Sequence, residues 1–199
     1  MLSSKTKTIC LVSFGIAVII IVSLILINSI SNQTDKVVAL VNSEPILQSQ
    51  LDKVLQQDKS IDRTELLENT IDDILLMQYA KNNGCSVSKQ EVDELIREYK
   101  ETYSVFYEEA LKIYTEDELR AGLENRILID KGQQVYFSKF PIDTEKGFED
   151  YLKSYDIELT SLTEEQIDTA KQKYKEKLEE TAMNNFVKEL RKESNIEYK

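Results

Sequence analysis

The hydrophobic positions of this chain follow three rhythms. The first is unbroken: Ile9 to Ile30 carries no charge and is rich in Ile, Val and Leu. At helical rise such a run spans roughly 33 Å, enough to cross the hydrocarbon core of a bilayer. The second is a short β-branched run, Val37 to Asn42, which predicts a strand; Ile196-Glu197-Tyr198 alternates and predicts a closing one. The third is helical. After a turn at Asn42-Ser43, Pro45 opens the way to a helix with Leu47, Leu51, Val54 and Leu55 on one face. A second helix is predicted over about 62–83, with Leu67, Ile71, Ile74, Leu75 and Gln78 in phase and Gly84 just past its end. Ser88 with Glu91 forms a capping box for a third helix carrying Val92, Leu95, Ile96 and Tyr99. A short fourth covers about 105–113. Thr115 with Glu118 caps a fifth, which runs through Leu119, Leu123, Ile127 and Leu128 to about Tyr136.

Around Phe140-Pro141 the helical pattern breaks, and a short helix is predicted over about 145–155. Thr163 with Gln166 then caps the longest helix of the chain. Its apolar positions, Ile167, Ala170, Tyr174, Leu178, Ala182, Phe186 and Leu190, form a regular stripe that predicts packing against the helices at 62–83 and 116–136. The expected architecture is mainly α: a transmembrane helix, then a helical domain with a small sheet formed by the two terminal strands. Residues 1–8 form a cytoplasmic tail, 9–30 a signal anchor, 37–140 the helical domain and 141–199 a part packing back on it.

Charge orients the anchor. Lys5 and Lys7 precede the apolar run and Asp35 is the first charge after it, so the N-terminus is expected in the cytoplasm and the bulk of the chain outside. A cleaved signal peptide would have a shorter apolar core, about 7–15 residues, and the only candidate cleavage site here is the weak Ser29-Ile30-Ser31. An uncleaved, single-pass anchor in the cell membrane is the expectation. The net charge is −11, and every acidic residue lies beyond the run. That balance argues against nucleic acid, which needs a basic footprint, and against electrostatic docking on anionic lipid. Cys85 is the only cysteine beyond the run, so no intramolecular disulfide is expected there.

Catalytic chemistry finds little support. The chain has no histidine, which removes Ser-His-Asp and Cys-His arrangements and most zinc sites. No Gly-rich phosphate loop is present, and the carboxylate pairs Asp72/Asp73, Glu108/Glu109, Glu164/Glu165 and Glu179/Glu180 read as solvated helix faces. No enzyme activity, cofactor, metal or small-molecule substrate is expected. The aromatic residues say more: of 10 Tyr and 6 Phe, most lie between Tyr99 and Tyr155. Tyr103, Phe106 and Tyr107 crowd three aromatics into five residues, and some of them are expected to be exposed or to meet another element. They and Tyr136, Phe137 and Phe140 are the candidate residues for binding an apolar partner.

Four stretches also carry a family resemblance: VVALVNSEPILQSQLD from Val37, ENTIDDILLMQYAKNNGCSVSKQEVDELI from Glu68, TEDELRAGLENRILIDK from Thr115 and NNFVKELRKESNIEYK from Asn184. In this order they resemble the SurA/PrsA group of extracytoplasmic chaperones and foldases. The resemblance implies one chaperone module, built from the N-terminal helices and the last helix, that binds unfolded or nascent exported polypeptides. Ser43 stands where the family usually has Gly, and Leu47 where it has Ser or Thr. The family's parvulin-type prolyl isomerase domain, which uses a pair of histidines, does not fit between Phe140 and Thr163. The resemblance therefore implies a chaperone module without isomerase chemistry. A dedicated interaction subunit, using the same helical cradle for one specific partner, is the alternative.

Overall fold

The fold is seen in a computed structural model that describes residues 35–199, so the apolar run Ile9–Ile30 lies outside the described residues. Among the described residues no helix is long and apolar enough to cross a membrane. Strands β1 (Val37–Val41) and β2 (Glu44–Leu47) form an antiparallel hairpin. Its two turn residues, Asn42 and Ser43, have φ of 50° and 74°, the left-handed pair whose twist matches that of the flanking strands. Strand β3 (Ile196–Tyr198) pairs antiparallel with the other edge of β1, Ala39 opposite Tyr198 and Val41 opposite Ile196. The sheet thus has three strands in the order β2-β1-β3, one more than the two the sequence predicts. The added strand holds Pro45, which was expected to lead into a helix. On an edge strand its missing N–H costs no ladder bond.

Helix α1 (Gln48–Gln57) starts where Leu47 has no side-chain acceptor to offer. The Gln50 side chain accepts from the Leu47 N–H at 2.7 Å, and the Gln48 N–H donates to the Lys36 carbonyl at 2.8 Å. The Asp35 carboxylate accepts from the Ser49 N–H, placing a negative charge at the positive end of the helix. Helix α2 (Arg63–Asn82) is capped by Asp62 and stopped by Gly84 at φ 78°, with the Cys85 N–H on the Ala80 carbonyl and the Gly84 N–H on that of Lys81. Helices α3 (Lys89–Thr102), α4 (Ser104–Leu111) and α5 (Glu116–Lys139) follow. At the crossing of α2 and α5 the backbones come close: a Cβ on Gly132 would stand 2.9 Å from that of Ala80. The first core lies here. It joins Ala39, Val41 and Ile46 of the sheet to Leu51, Ile71, Ile74, Leu75 and the back half of α5. Cys85 is a free thiol, partly buried at its edge. A second core joins α3, α4 and the front half of α5 through Val92, Ile96, Tyr107, Tyr114, Leu119 and Leu123.

The chain ends in α6 (Phe148–Lys153), a 3-10 turn (Leu159–Ser161), α7 (Glu164–Glu193) and β3. Gly147, at φ 83°, sets the start of α6 and makes it shorter than the sequence predicts. A Cβ there would lie 2.7 Å from the Tyr174 hydroxyl, which donates to the Lys146 carbonyl at 2.7 Å. Helix α7 does not present one continuous face. A step of four residues advances about 400°, so a four-residue repeat drifts ~40° per step. Over the five steps from Ala170 to Leu190 the stripe turns by roughly 200°. Ile167, Ala170, Tyr174 and Leu178 therefore pack on Phe148 and Leu152 in a small third core, while Met183, Phe186, Val187 and Leu190 pack on the first. Arg191 holds the back half to α2, at 2.6 Å from Glu68 and 2.5 Å from Asp72. Asn42 joins hairpin, helix and C-terminal segment. Its side chain donates to Gln78 at 2.8 Å and Ser194 at 3.2 Å and accepts from the Asn195 N–H at 2.8 Å.

Candidate functional site

The residues singled out in the sequence fall on two surfaces. The first is a knuckle at α4. The chain breaks helix at Tyr103 and restarts at once, so α4 is too short to bury both its faces. Tyr107, next to Phe106 in sequence, points into the second core and is 6% exposed. It belongs to the scaffold and not to an open surface. The Lys100 ammonium covers its ring at 5.0 Å. Phe106 is 52% exposed, and beside it Val105 is 69% and Leu111 37% exposed. Tyr103 is half-buried, its ring 5.7 Å from that of Tyr99. Val105 and Leu111 went unnoticed in the sequence. Their signal is spacing: with Glu108 between them, they stand at i, i+3 and i+6 along one side of the helix.

The polar groups of the scaffold behind the knuckle are mostly satisfied. The capping box at Thr115 and Glu118 starts α5, and Lys53 of α1 reaches across to Glu118 at 2.5 Å. Tyr114 is 5% exposed, and burial pushes its phenol up to about 12. Its hydroxyl has no hydrogen-bond partner, while Lys53 sits 4.8 Å from the ring centroid.

The second surface is a row of rings where α2, α5 and α7 meet. Tyr136 stacks on Phe186 at 4.2 Å, and Phe186 meets Tyr79 edge-on at 4.7 Å. Phe137 and Phe140 lie 5.3 and 5.2 Å from Tyr136. These rings mostly satisfy one another: Tyr136, Phe137 and Phe186 are half-buried, and only Phe140, 59% exposed, remains largely open. Tyr79 and Phe186 complete the row; the stripe of Phe186 was expected against the helix at 62–83, but Tyr79 was not among the residues named for that contact. Among the described residues no group of His, Cys, Asp or Glu is arranged to hold a metal ion.

Comparison with known proteins decides the family. A family model described as a SurA-like N-terminal domain matches residues 1–133. The chain belongs to the SurA N-terminal-like family. "Chaperone SurA" of Legionella pneumophila strain Philadelphia 1 is 32% identical over 148 residues, 65% of this chain and 34% of that protein. The strain Paris protein of the same name is 31% identical over the same share. The chain thus spans about a third of the length of the curated relatives it matches. In fold, this SurA-like chain is similar to a structure from work on PEB4 and Cj1289, described as SurA-like chaperones of Campylobacter jejuni. The TM-score is 0.61 at 14% identity, covering 83% of this chain and 100% of that one. Membership covers the hairpin, α1 to α4 and most of α5, so the knuckle lies inside the SurA-like part. The third core lies beyond the matched residues.

Proposed function

We propose that this chain is a membrane-tethered extracytoplasmic chaperone, which holds unfolded exported polypeptides on the α4 knuckle and does not catalyse prolyl isomerisation. Membership in a family of chaperones supports the general role. The observation that carries the specific one is the exposed set Val105, Phe106 and Leu111 on a short helix whose other face is locked into a core. Such a surface buries apolar client side chains without folding around them. Covering ~200–400 Å² of apolar area gives a gross ~5–10 kcal/mol before ordering costs, which leaves weak, fast-exchanging binding suited to a holdase. The tether rests on the uncharged run Ile9–Ile30, with Lys5 and Lys7 ahead of it. The absence of isomerase chemistry rests on the missing histidines and on the small third core, which occupies the stretch between α5 and α7.

The full chain in zwitterionic nanodiscs should delay aggregation of an unfolded model protein and leave the isomerisation rate of a prolyl peptide unchanged. No delay at large molar excess rejects the chaperone reading and leaves a dedicated partner as the better account. Carbonate extraction tests the tether: release of a soluble form starting near Gln33 rejects it.

A further inference from the structure

Beyond holding clients, the knuckle sits in an unbalanced electrostatic setting. On α4 itself, Glu108 lies between Val105 and Leu111 on one face. Most nearby basic groups are already engaged: Lys112 with Glu109 at 2.5 Å, Arg120 with Asp93 at 2.5 Å, Arg126 with Asp130 at 3.1 Å and Lys131 with Glu91 at 2.5 Å. Lys100 covers the Tyr107 ring. Among the described residues Glu98, Glu101 and Glu108 make no ion pair with any of them. Glu98 and Glu101 also line a groove of about 650 Å³ between α3 and α5, whose apolar members are Leu95 and Ile127. Arg97 is the base of that groove without an ion pair among the described residues. The groove runs along α3 to its end at Thr102, and α4 begins at Ser104. Exposed apolar side chains and uncompensated carboxylates thus lie along consecutive helices.

Resting on the holdase reading, we infer that the α4 knuckle and the α3–α5 groove select client segments in which aliphatic or aromatic residues are flanked by Lys or Arg. The apolar side chains cover Val105, Phe106 and Leu111, and the cations meet Glu98, Glu101 and Glu108. The same carboxylates disfavour two other occupants. A second copy would bring an identical acidic ring against this one, and an anionic bilayer would repel it. Basic-apolar polypeptide is the chemistry that satisfies both halves of the surface.

Fluorescence anisotropy with the full chain in zwitterionic nanodiscs tests this. Three unstructured labelled peptides are compared: one apolar core flanked by Lys, the same core flanked by Glu, and a Lys-flanked core of Ser. At 50 mM salt the Lys-flanked apolar peptide should bind about tenfold tighter than the Glu-flanked one, and at 500 mM salt the gap should shrink to about twofold. The variant E98Q/E101Q/E108Q should lose the discrimination while its circular dichroism is unchanged, and F106S should weaken both apolar peptides alike. Equal binding of the Lys- and Glu-flanked peptides overturns the selectivity and leaves the holdase reading standing. Failure of all three peptides, with no delay of aggregation, overturns both. Tight binding of the Ser peptide reduces the surface to a charge effect and overturns the inference. A concentration-dependent dimer abolished by F106S assigns the knuckle to a second copy and overturns it as well.

Discussion

The two halves of α7 share one backbone and one hydrophobic repeat, yet they stabilise different things. The front half, from Ile167 to Leu178, packs with Phe148 and Leu152 around a core of three buried residues, Tyr174 being the third. The back half, from Met183 to Leu190, closes a core that already holds the sheet, α1, α2 and α5, and Arg191 fixes it to Glu68 and Asp72. One half serves a local patch and the other completes the molecule. The contrast shows that regular spacing measures how a helix winds and not how deeply it is buried.

The largest test of that contrast is removal of residues 184–199, which takes away Phe186, Val187, Leu190, Ile196 and the partner strand of β1 together. Cooperative thermal unfolding, followed by circular dichroism, should disappear, and α2 amides should exchange rapidly. A shortened chain that melts as sharply as the whole one would show that the back half is dispensable. Next comes Phe148→Ala, in the small core. It should cost about 3–5 kcal/mol locally and speed hydrogen exchange over 148–178 while α2 keeps its protection. Loss of protection in α2 would mean that the two halves unfold as one. Phe186→Ala is expected to cost less, on the order of 2 kcal/mol, because that ring is half-buried and stacked on Tyr136. Its effect, unlike that of Phe148→Ala, should spread to the whole first core.

A pH series isolates the first core further. Burial at the α2–α5 contact pushes the half-buried Asp73 carboxyl up to about 7, against the pull of Arg126 and with help from the Asp72 charge. The folded state thus holds its proton more tightly than the unfolded chain, whose value is 3.8. Stability from this group is present below about pH 4 and is lost as pH rises toward 7. Asp73→Asn should stabilise the chain at pH 8, on the order of 2 kcal/mol by urea unfolding, and should gain nothing below pH 4. A gain of equal size at both pH values would point to packing and not to ionisation. The smallest effect is expected at Ser43, held at φ 74° in the hairpin turn. Ser43→Gly removes that strain and should raise stability by about 0.5–1 kcal/mol, seen as a shifted urea midpoint with unchanged slope.

What the sequence revealed is what is decided locally. The boxes at Ser88, Thr115 and Thr163 start the helices that follow them, and Gly84 stops α2 in the left-handed conformation. Each needs only residues within one turn. Strand β2 was hidden because Pro45 favours helix entry until an edge is available to hold it. The split of α7 was hidden because a list of apolar positions does not display the ~40° that each four-residue step adds. Membership in the family was legible from four ordered stretches. The state of each ring in the aromatic clusters was not: Phe106 and Tyr107 are adjacent and chemically alike, and only the second core decides which one is taken up. That Phe186 packs on the helices at 62–83 and 116–136 was legible from its stripe; which rings it meets there, Tyr79 and Tyr136, was not.

The hydrogen bonds of Asn42 set a timetable for the newborn polypeptide. Strand β1 ends one residue before Asn42, but its far edge, the Ser194 and Asn195 partners of Asn42 and the Arg191 clasp all come from residues translated about 150 positions later. At about 5–20 residues per second, the hairpin waits roughly 8–30 s for the segment that seals it. Throughout that interval the inner faces of β1, α1 and α2 stay unsealed. The molecule therefore begins life as the kind of incomplete chain that a holdase protects.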